Sequence, residues 1–396
     1  MNISQLLQTE IQEYINKNSG VSVSKLALQK NPFPEVDFKI ILNQIEAKSK
    51  AKEKLPTWFS AQNIIYPSKI SVEQTSSEQT AKFKSQLLSG NSLIDLTGGF
   101  GVDDFYFSKT IKKVVHCEMN EELHQIVSHN LKELQISNIE TLFGDSTEIL
   151  KNLNHNFDFI YIDPSRRSDT KGKVFMLKDC LPNVVNLQEF YFQYSDKILI
   201  KTAPILDISA GLLELENVKN IHIIAVENEV KELLWEIEKQ YNSDITIKTV
   251  NITKDKNETF DFILSSEKSS SFRLPQKYLY EPNSAIMKSG GFSEIGNRYN
   301  LDKLHQHSHI YTSDEKKDFP GRIFEVQNII PYSKKEMKEF LENTKANITT
   351  RNFPETVENI RKKWKIKDGG NVYCFFTIDK NENKIVLICN KIELSK

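Results

Sequence analysis

Cysteine is scarce in this chain of 396 residues: Cys117, Cys180, Cys374 and Cys389 are scattered, and no two form a CxxC pair. That argues against a disulfide framework and against a cysteine-built zinc site, and reads as buried thiols. Long apolar runs are missing too. No stretch approaches the roughly 18 residues of a membrane span, and the N-terminal MNISQLLQTEIQEYINK lacks a basic region leading into an apolar one. Neither a spanning helix nor a secretory signal is therefore expected, and the expected compartment is the cytoplasm. An excess of one charge sign is missing as well: 52 basic side chains nearly cancel 53 acidic ones. With 39% apolar and 27% charged residues, that balance excludes a whole-chain polycation and a highly charged disordered polymer. No repeat of fixed period is visible, and the length suggests two or three domains at roughly 150 residues each.

The neutrality is uneven. Lys and Arg number 11 against 8 Asp and Glu over residues 1–90, 27 against 36 over 91–330, 10 against 6 over 331–370, and 4 against 3 over 371–396. Basic flanks can hold a polyanion while an acidic middle does chemistry, although Lys-rich solvated helix faces give the same counts.

Apolar residues at three- and four-residue spacing, first Ile3, Leu6, Leu7, Ile11 and Ile15 and later Ile40, Ile41 and Ile45, predict a helical region over residues 1–90. A helix start at Ser76 or Ser77 and a C-cap at Gly90 close it. From Leu93 to about Leu264 short apolar runs alternate with helical patterns: LIDL, KVVHCE, ETLFGD, FDFIYID, DKILIK, IHIIAVE and FDFILS. Strand, helix, strand at this rhythm predicts an α/β, Rossmann-like, doubly wound and mostly parallel sheet over residues 91–270. The serine run SSEKSSS then marks a boundary, followed by a small α+β segment over 271–320. The last segment, 321–396, ends in two alternating strands, NVYCFFTI and KIVLIC.

The sharpest feature is LIDLTGGFGVDDF. Asp95 ends a strand, and Thr97, Gly98, Gly99, Phe100 and Gly101 turn into a helix; glycines there let backbone approach a ligand. Glu118 follows Asp95 by 23 residues, Asp145 comes 27 later, and Asp163 a further 18. All four carboxylates fall at strand ends, which converge on the ligand crevice of a doubly wound sheet. An acidic residue ending the second strand suits two ribose hydroxyls. A GGFG loop preceded by a carboxylate suits an ammonium group better than a pyrophosphate, which favours S-adenosylmethionine over NAD. The plainer reading is that these carboxylates cap the following helices.

With EQTSSEQTAKFK before the loop, DLTGGFGVD at it, YIDPSRR after the fourth strand and RNFPETVENIRKKWKIKDGGNVYCFFT near the end, the chain from about residue 60 onward resembles the class I S-adenosylmethionine-dependent methyltransferases, in particular the bacterial group with a C-terminal THUMP-like domain. The resemblance implies that Asp95 and the loop Thr97 to Gly101 hold the methionine part of the cofactor. It likewise assigns Glu118 to the ribose, Asp145 to the adenine amino group and Asp163 to the place between cofactor and substrate, with Met119 and Ser146 among the expected cofactor-binding residues.

Asp163, Pro164, Ser165 and Arg166 form the expected acceptor site. Amino methyltransferases of nucleic-acid bases often carry an Asn or Asp, two prolines and an aromatic there; here Ser165, Arg166 and Arg167 replace the second half. Arg166 and Arg167 can lie on a base or grip a phosphate, or simply pair with acidic neighbours such as Asp169. No cysteine nucleophile follows, so a nitrogen or a hydroxyl is the expected target rather than C5 of a pyrimidine. His305, His307 and His309 alternate as on a strand face; a zinc site is imaginable, but solvated strand residues are favoured and no metal is expected. Near the C-terminus, Lys362 and Lys363 flank Trp364, a pattern that suits single-stranded RNA or a solvated helix end over a core Trp. The resemblance to a THUMP-like module favours RNA, with rRNA or tRNA as the expected partner. The alternatives are an RNA-binding protein with a non-catalytic pocket, and a DNA or protein methyltransferase.

Overall fold

The structure, a computed structural model, describes residues 3–166, 176–266 and 268–392. The chain forms two compact units, Met1–Lys219 with Leu233–Ser243, and Asn220–Glu232 with Asp244–Lys396.

The first unit opens with helices, among them α1 (Thr9–Lys17), α2 (Phe38–Lys54) and α3 (Glu78–Gln86). Ile11, Ile15, Ile41 and Ile45 are buried as their spacing predicts, in one apolar cluster with Phe100, Val102, Ile126 and Leu131. The extended segment at Ile65 and Tyr66 is held by side chains standing in for strand partners. Gln44 bonds both the N–H and the C=O of Tyr66, and Asn130 does the same for Ile65. Ser77 caps α3, accepting from Thr80 N–H at 3.2 Å. Gly90 does not cap that helix as expected; it opens the first strand.

That strand is β1 (Gly90–Asp95), followed by α4 (Val102–Phe107), β2 (Ile111–Glu118), α5 (Glu121–Glu133), β3 (Ile139–Phe143), α6 (Ser146–Leu153), β4 (Phe159–Ile162), α7 (Val184–Tyr191), β5 (Lys197–Thr202), α8 (Ile208–Glu214), β6 (Val218–Val226) and β7 (Glu229–Glu238). Within the first unit the sheet runs β7-β5-β4-β1-β2-β3, parallel except for β7, which is antiparallel to β5. The order reverses direction between β1 and β4, and there Asp95 registers with Tyr161. Ligand crevices of parallel sheets form at the carboxyl ends beside such a reversal.

In the second unit β6 pairs parallel with β8 (Thr246–Ile252), which pairs antiparallel with β9 (Asn257–Ile263). A further sheet is built from β10 (Tyr278–Pro282), β11 (Asp302–Lys303), β12 (Tyr311–Ser313), β13 (Gly321–Pro331), β14 (Asn347–Arg351), β15 (Val372–Ile378) and β16 (Lys384–Lys391), in the order β11-β12-β10-β13-β16-β15-β14. Helices α9 (Ser284–Ser289), α10 (Phe292–Tyr299), α11 (Lys334–Phe340) and α12 (Val357–Trp364) accompany it. Cys374 and Phe376 join one apolar cluster and Phe375 another, because alternate residues of a strand face opposite sides. No helix among the described residues is long and apolar enough to cross a membrane.

Candidate active site

Asp95 ends β1 buried, and its Oδ1 accepts from the Thr97 amide at 2.8 Å and the Thr97 hydroxyl at 3.1 Å. The same hydroxyl accepts from the Asp163 amide at 2.6 Å, so one oxygen joins the glycine loop to the chain leaving β4. Gly98 N–H donates to Cys117 C=O at 2.9 Å, which presses the loop against β2. A Cβ on Gly98 would lie 2.2 Å from the His116 ring, and that ring is fixed by a 2.6 Å contact with Asp104. Gly98→Ala is therefore expected to cost about 1–3 kcal/mol of stability by overpacking and to weaken binding at the loop. Thermal denaturation with and without S-adenosylhomocysteine checks both. Gly101 leads into α4 at φ +74°, open only to residues that tolerate the left-handed region.

Glu118 Oε2 accepts from Gly99 N–H at 3.1 Å and Oε1 from Asn120 N–H at 2.7 Å; each oxygen keeps a second lone pair for an incoming hydroxyl. Beside it Met119 is 73% exposed. Phe143, which registers with Glu118 across β2 and β3, is 53% exposed and went unnoticed in the sequence because it reads as one more strand residue. Asp145 does what the plainer reading held: its Oδ1 caps α6, accepting from Thr147 and Glu148 amides at 2.9 and 3.1 Å, with Ser146 as the first helical residue. Phe100 departs from expectation. Its ring is buried between Trp58 and Tyr66, at 6.2 Å from each, so its apolar side chain belongs to the core, and only its backbone remains to serve the loop.

Asp163 has a side chain 37% exposed, and its Oδ2 is paired with the Lys201 ammonium from the end of β5. Pro164 is buried. Ser165 and Arg166 pair through their backbones with Leu181 and Cys180 in a short antiparallel ribbon. Arg167 lies outside the described residues. Behind Asp163 is a buried polar network that the sequence did not reveal. Lys84, fully buried, places Nζ 2.8 Å from Asp103 Oδ1 and donates to Ser76 Oγ at 2.7 Å. Ser76 and Tyr161 hydroxyls donate to Asp103 Oδ2 at 2.9 and 2.8 Å. Burial pushes the Asp103 carboxyl up, but Lys84 and Lys201 outweigh it and hold the group below its usual range. The neighbouring pair behaves oppositely. Burial and the Asp103 charge push Asp104 well up, and burial pushes His116 down. Burial and Asp104 raise Asp95 likewise.

The C-terminal candidates are placed differently from expectation. Trp364 is 6% exposed in the cluster of Ile360, Phe376 and Val386, and its indole N–H donates to the Tyr332 hydroxyl at 3.2 Å. Apolar area decides its position, so the ring is not offered for stacking on a base. Lys363 lies against Glu355 at 3.1 Å; Lys362 is exposed. Trp364→Ala is expected to destabilise by about 3–5 kcal/mol, and Lys362→Ala by nothing measurable, in urea titrations of the two variants. The histidines do not share a strand face. They follow β11 in a loop, where His305 Nδ1 accepts from Asn352 and from His307 N–H, and His305 Nε2 meets Glu382 at 2.8 Å. His309 stacks on Phe292 at 3.6 Å, and burial with the Lys303 charge lowers it to about 4. No group of three or more His, Cys, Asp or Glu among the described residues is placed to hold a metal.

Three family models match the chain: conserved hypothetical protein 95 over residues 68–179, a ferredoxin-like domain over 278–320 and a THUMP domain-like region over 321–391. A crystal structure from Porphyromonas gingivalis W83, described provisionally as a methyltransferase, is similar over 98% of this chain and 99% of that one, with 29% identity and a TM-score of 0.86. An uncharacterised RNA methyltransferase of Clostridium acetobutylicum is 28% identical over 153 residues, which are 37% of this chain and 32% of that protein. The match thus spans about a third of that relative.

Proposed function

We propose that this chain, a class I methyltransferase fold joined to ferredoxin-like and THUMP-like modules, transfers a methyl group from S-adenosylmethionine to a nitrogen or hydroxyl of RNA. The observation that carries the reading is Asp163: a half-open carboxylate at the crevice, anchored on one oxygen by Lys201 and joined through Thr97 to the glycine loop. The crevice fits the cofactor. A loop whose Gly98 admits no Cβ, the remaining lone pairs of Glu118, and the exposed Met119 and Phe143 suit in turn a close-lying methionine chain, a ribose and an apolar ring. Asp95 and the Gly98 to Gly101 backbone would hold the methionine part, and Asp145 with Met119 and Phe143 the adenine.

When bound, S-adenosylmethionine supplies a methyl on a positive sulfonium, open to in-line displacement. The protein then supplies alignment and a proton acceptor. Asp163 Oδ1 would take a hydrogen bond from the acceptor O–H or N–H, turn its lone pair toward the methyl, and receive the proton as the new bond to carbon replaces the sulfur–methyl bond and neutral S-adenosylhomocysteine leaves. The RNA assignment is supported by the curated relative, whose name gives that substrate, and by the THUMP-like match. Calorimetry with S-adenosylmethionine and S-adenosylhomocysteine tests the pocket: no binding of either ends this reading. Mass spectrometry of rRNA and tRNA nucleosides, from cells with and without the gene, is expected to show one methylated nucleoside lost.

A further inference from the structure

We propose that Lys201, at the end of β5, is a positioning residue for the acceptor carboxylate Asp163. This rests on the reading of Asp163 given above. Ile162 and Ile200 are register partners on parallel β4 and β5, so the residues that follow them, Asp163 and Lys201, emerge side by side at the strand ends. Lys201 is 11% exposed at its side chain and pairs with Asp163 Oδ2. Its charge also helps to lower the Asp103 carboxyl. Asp103 in turn is gripped by Lys84, Ser76 and the hydroxyl of Tyr161, which stands two residues before Asp163 and so on the same face of the sheet.

An ammonium paired with a carboxylate in a mostly buried site has little freedom to leave, because its departure would strand buried charge. Asp163 consequently has one oxygen committed to Lys201 while its side chain stays 37% exposed, and its carboxylate is held before any acceptor arrives. Preorganisation of this sort is felt in turnover rather than in cofactor affinity, because the residues proposed to hold the cofactor lie on the glycine loop and at the ends of β2 and β3.

The test compares wild type, Lys201→Met and Lys201→Arg, with RNA from cells lacking the gene as substrate and a radiolabelled methyl donor; S-adenosylhomocysteine affinity is measured on the same preparations. Lys201→Met is expected to lower kcat by about 10²-fold with that affinity within about threefold, and Lys201→Arg to recover most of the loss. In the Asp163→Asn background Lys201→Met is expected to lower kcat no further, since residues acting as a unit are not additive. If Lys201→Met does not fold, Lys201→Gln, uncharged and able to hydrogen-bond, carries the same expectation. Turnover within twofold of wild type in either uncharged variant overturns the assignment, and so does a loss of cofactor affinity as large as the loss of kcat. A wild type that neither binds the cofactor nor transfers methyl would instead bring down the underlying reading, and this inference with it.

Discussion

Asp163→Ala is expected to leave affinity for S-adenosylhomocysteine within a few-fold of wild type and to reduce methyl transfer by about 10²–10⁴-fold. The separation follows from where the side chain and the backbone of this residue are used. Its amide, which alanine retains, makes the bond to Thr97 Oγ1 that joins the two loops. Its carboxylate touches Lys201 and otherwise faces the crevice, while the glycine loop and Glu118 are held by bonds of their own. The charge of Asp103, whose carboxyl Lys201 helps to lower, remains after the truncation. Single-turnover assays with hypomethylated RNA and calorimetry on the same protein measure the two halves. Unchanged turnover would remove Asp163 from the mechanism, and a parallel collapse in cofactor affinity would make it a pocket residue instead.

The second large effect concerns stability. Lys84→Met is expected to destabilise the protein by about 3–5 kcal/mol, because the mostly buried Asp103 carboxylate loses the fully buried cation that offsets its desolvation. Against a total of about 5–15 kcal/mol for a typical domain, that is a large share of the whole. The double variant Lys84→Met with Asp103→Asn is expected to be more stable than Lys84→Met alone, since the stranded charge is then gone and the asparagine can still meet Ser76 and Tyr161. Urea unfolding followed by far-ultraviolet circular dichroism reads both. A loss under about 1 kcal/mol for Lys84→Met would show that water or another cation reaches Asp103.

Much of the crevice was legible in the sequence because its signals are local. A short apolar run followed by Gly98, Gly99 and Gly101 places a strand, a turn and a helix start together, and the parallel rhythm carries Glu118 and Asp163 to the same edge. Lys84 and Lys201 were not legible. Each sits among ordinary helix and strand residues, and only the tertiary arrangement brings 84, 103, 161 and 201 together. Local propensity misled at the C-terminal helix, where basic residues around Trp364 have the composition of an RNA contact, yet the ring fills the core and Lys363 bonds Glu355. Glu229–Glu238 is rich in good helix formers and is a strand all the same. Pairing with β5 and burial of Leu233, Leu234, Trp235 and Ile237 outweigh propensity there. In the histidine loop His309 takes φ 52°, a left-handed turn of the backbone that ends any strand alternation.

The seven-stranded sheet of the second unit places β10, β11 and β12 on one side of residue 320 and β13 to β16 on the other, in one hydrogen-bonded order. β10 pairs with β13 from Tyr278↔Glu325 to Pro282↔Gly321, directly across the boundary between the ferredoxin-like and THUMP-like matches. β15 feeds side chains into both apolar clusters of that sheet. The two matches therefore describe ancestry rather than mechanics. Cut apart at that boundary, each piece would expose an unpaired strand edge of the kind that templates aggregation, so the two modules are expected to unfold as one cooperative block.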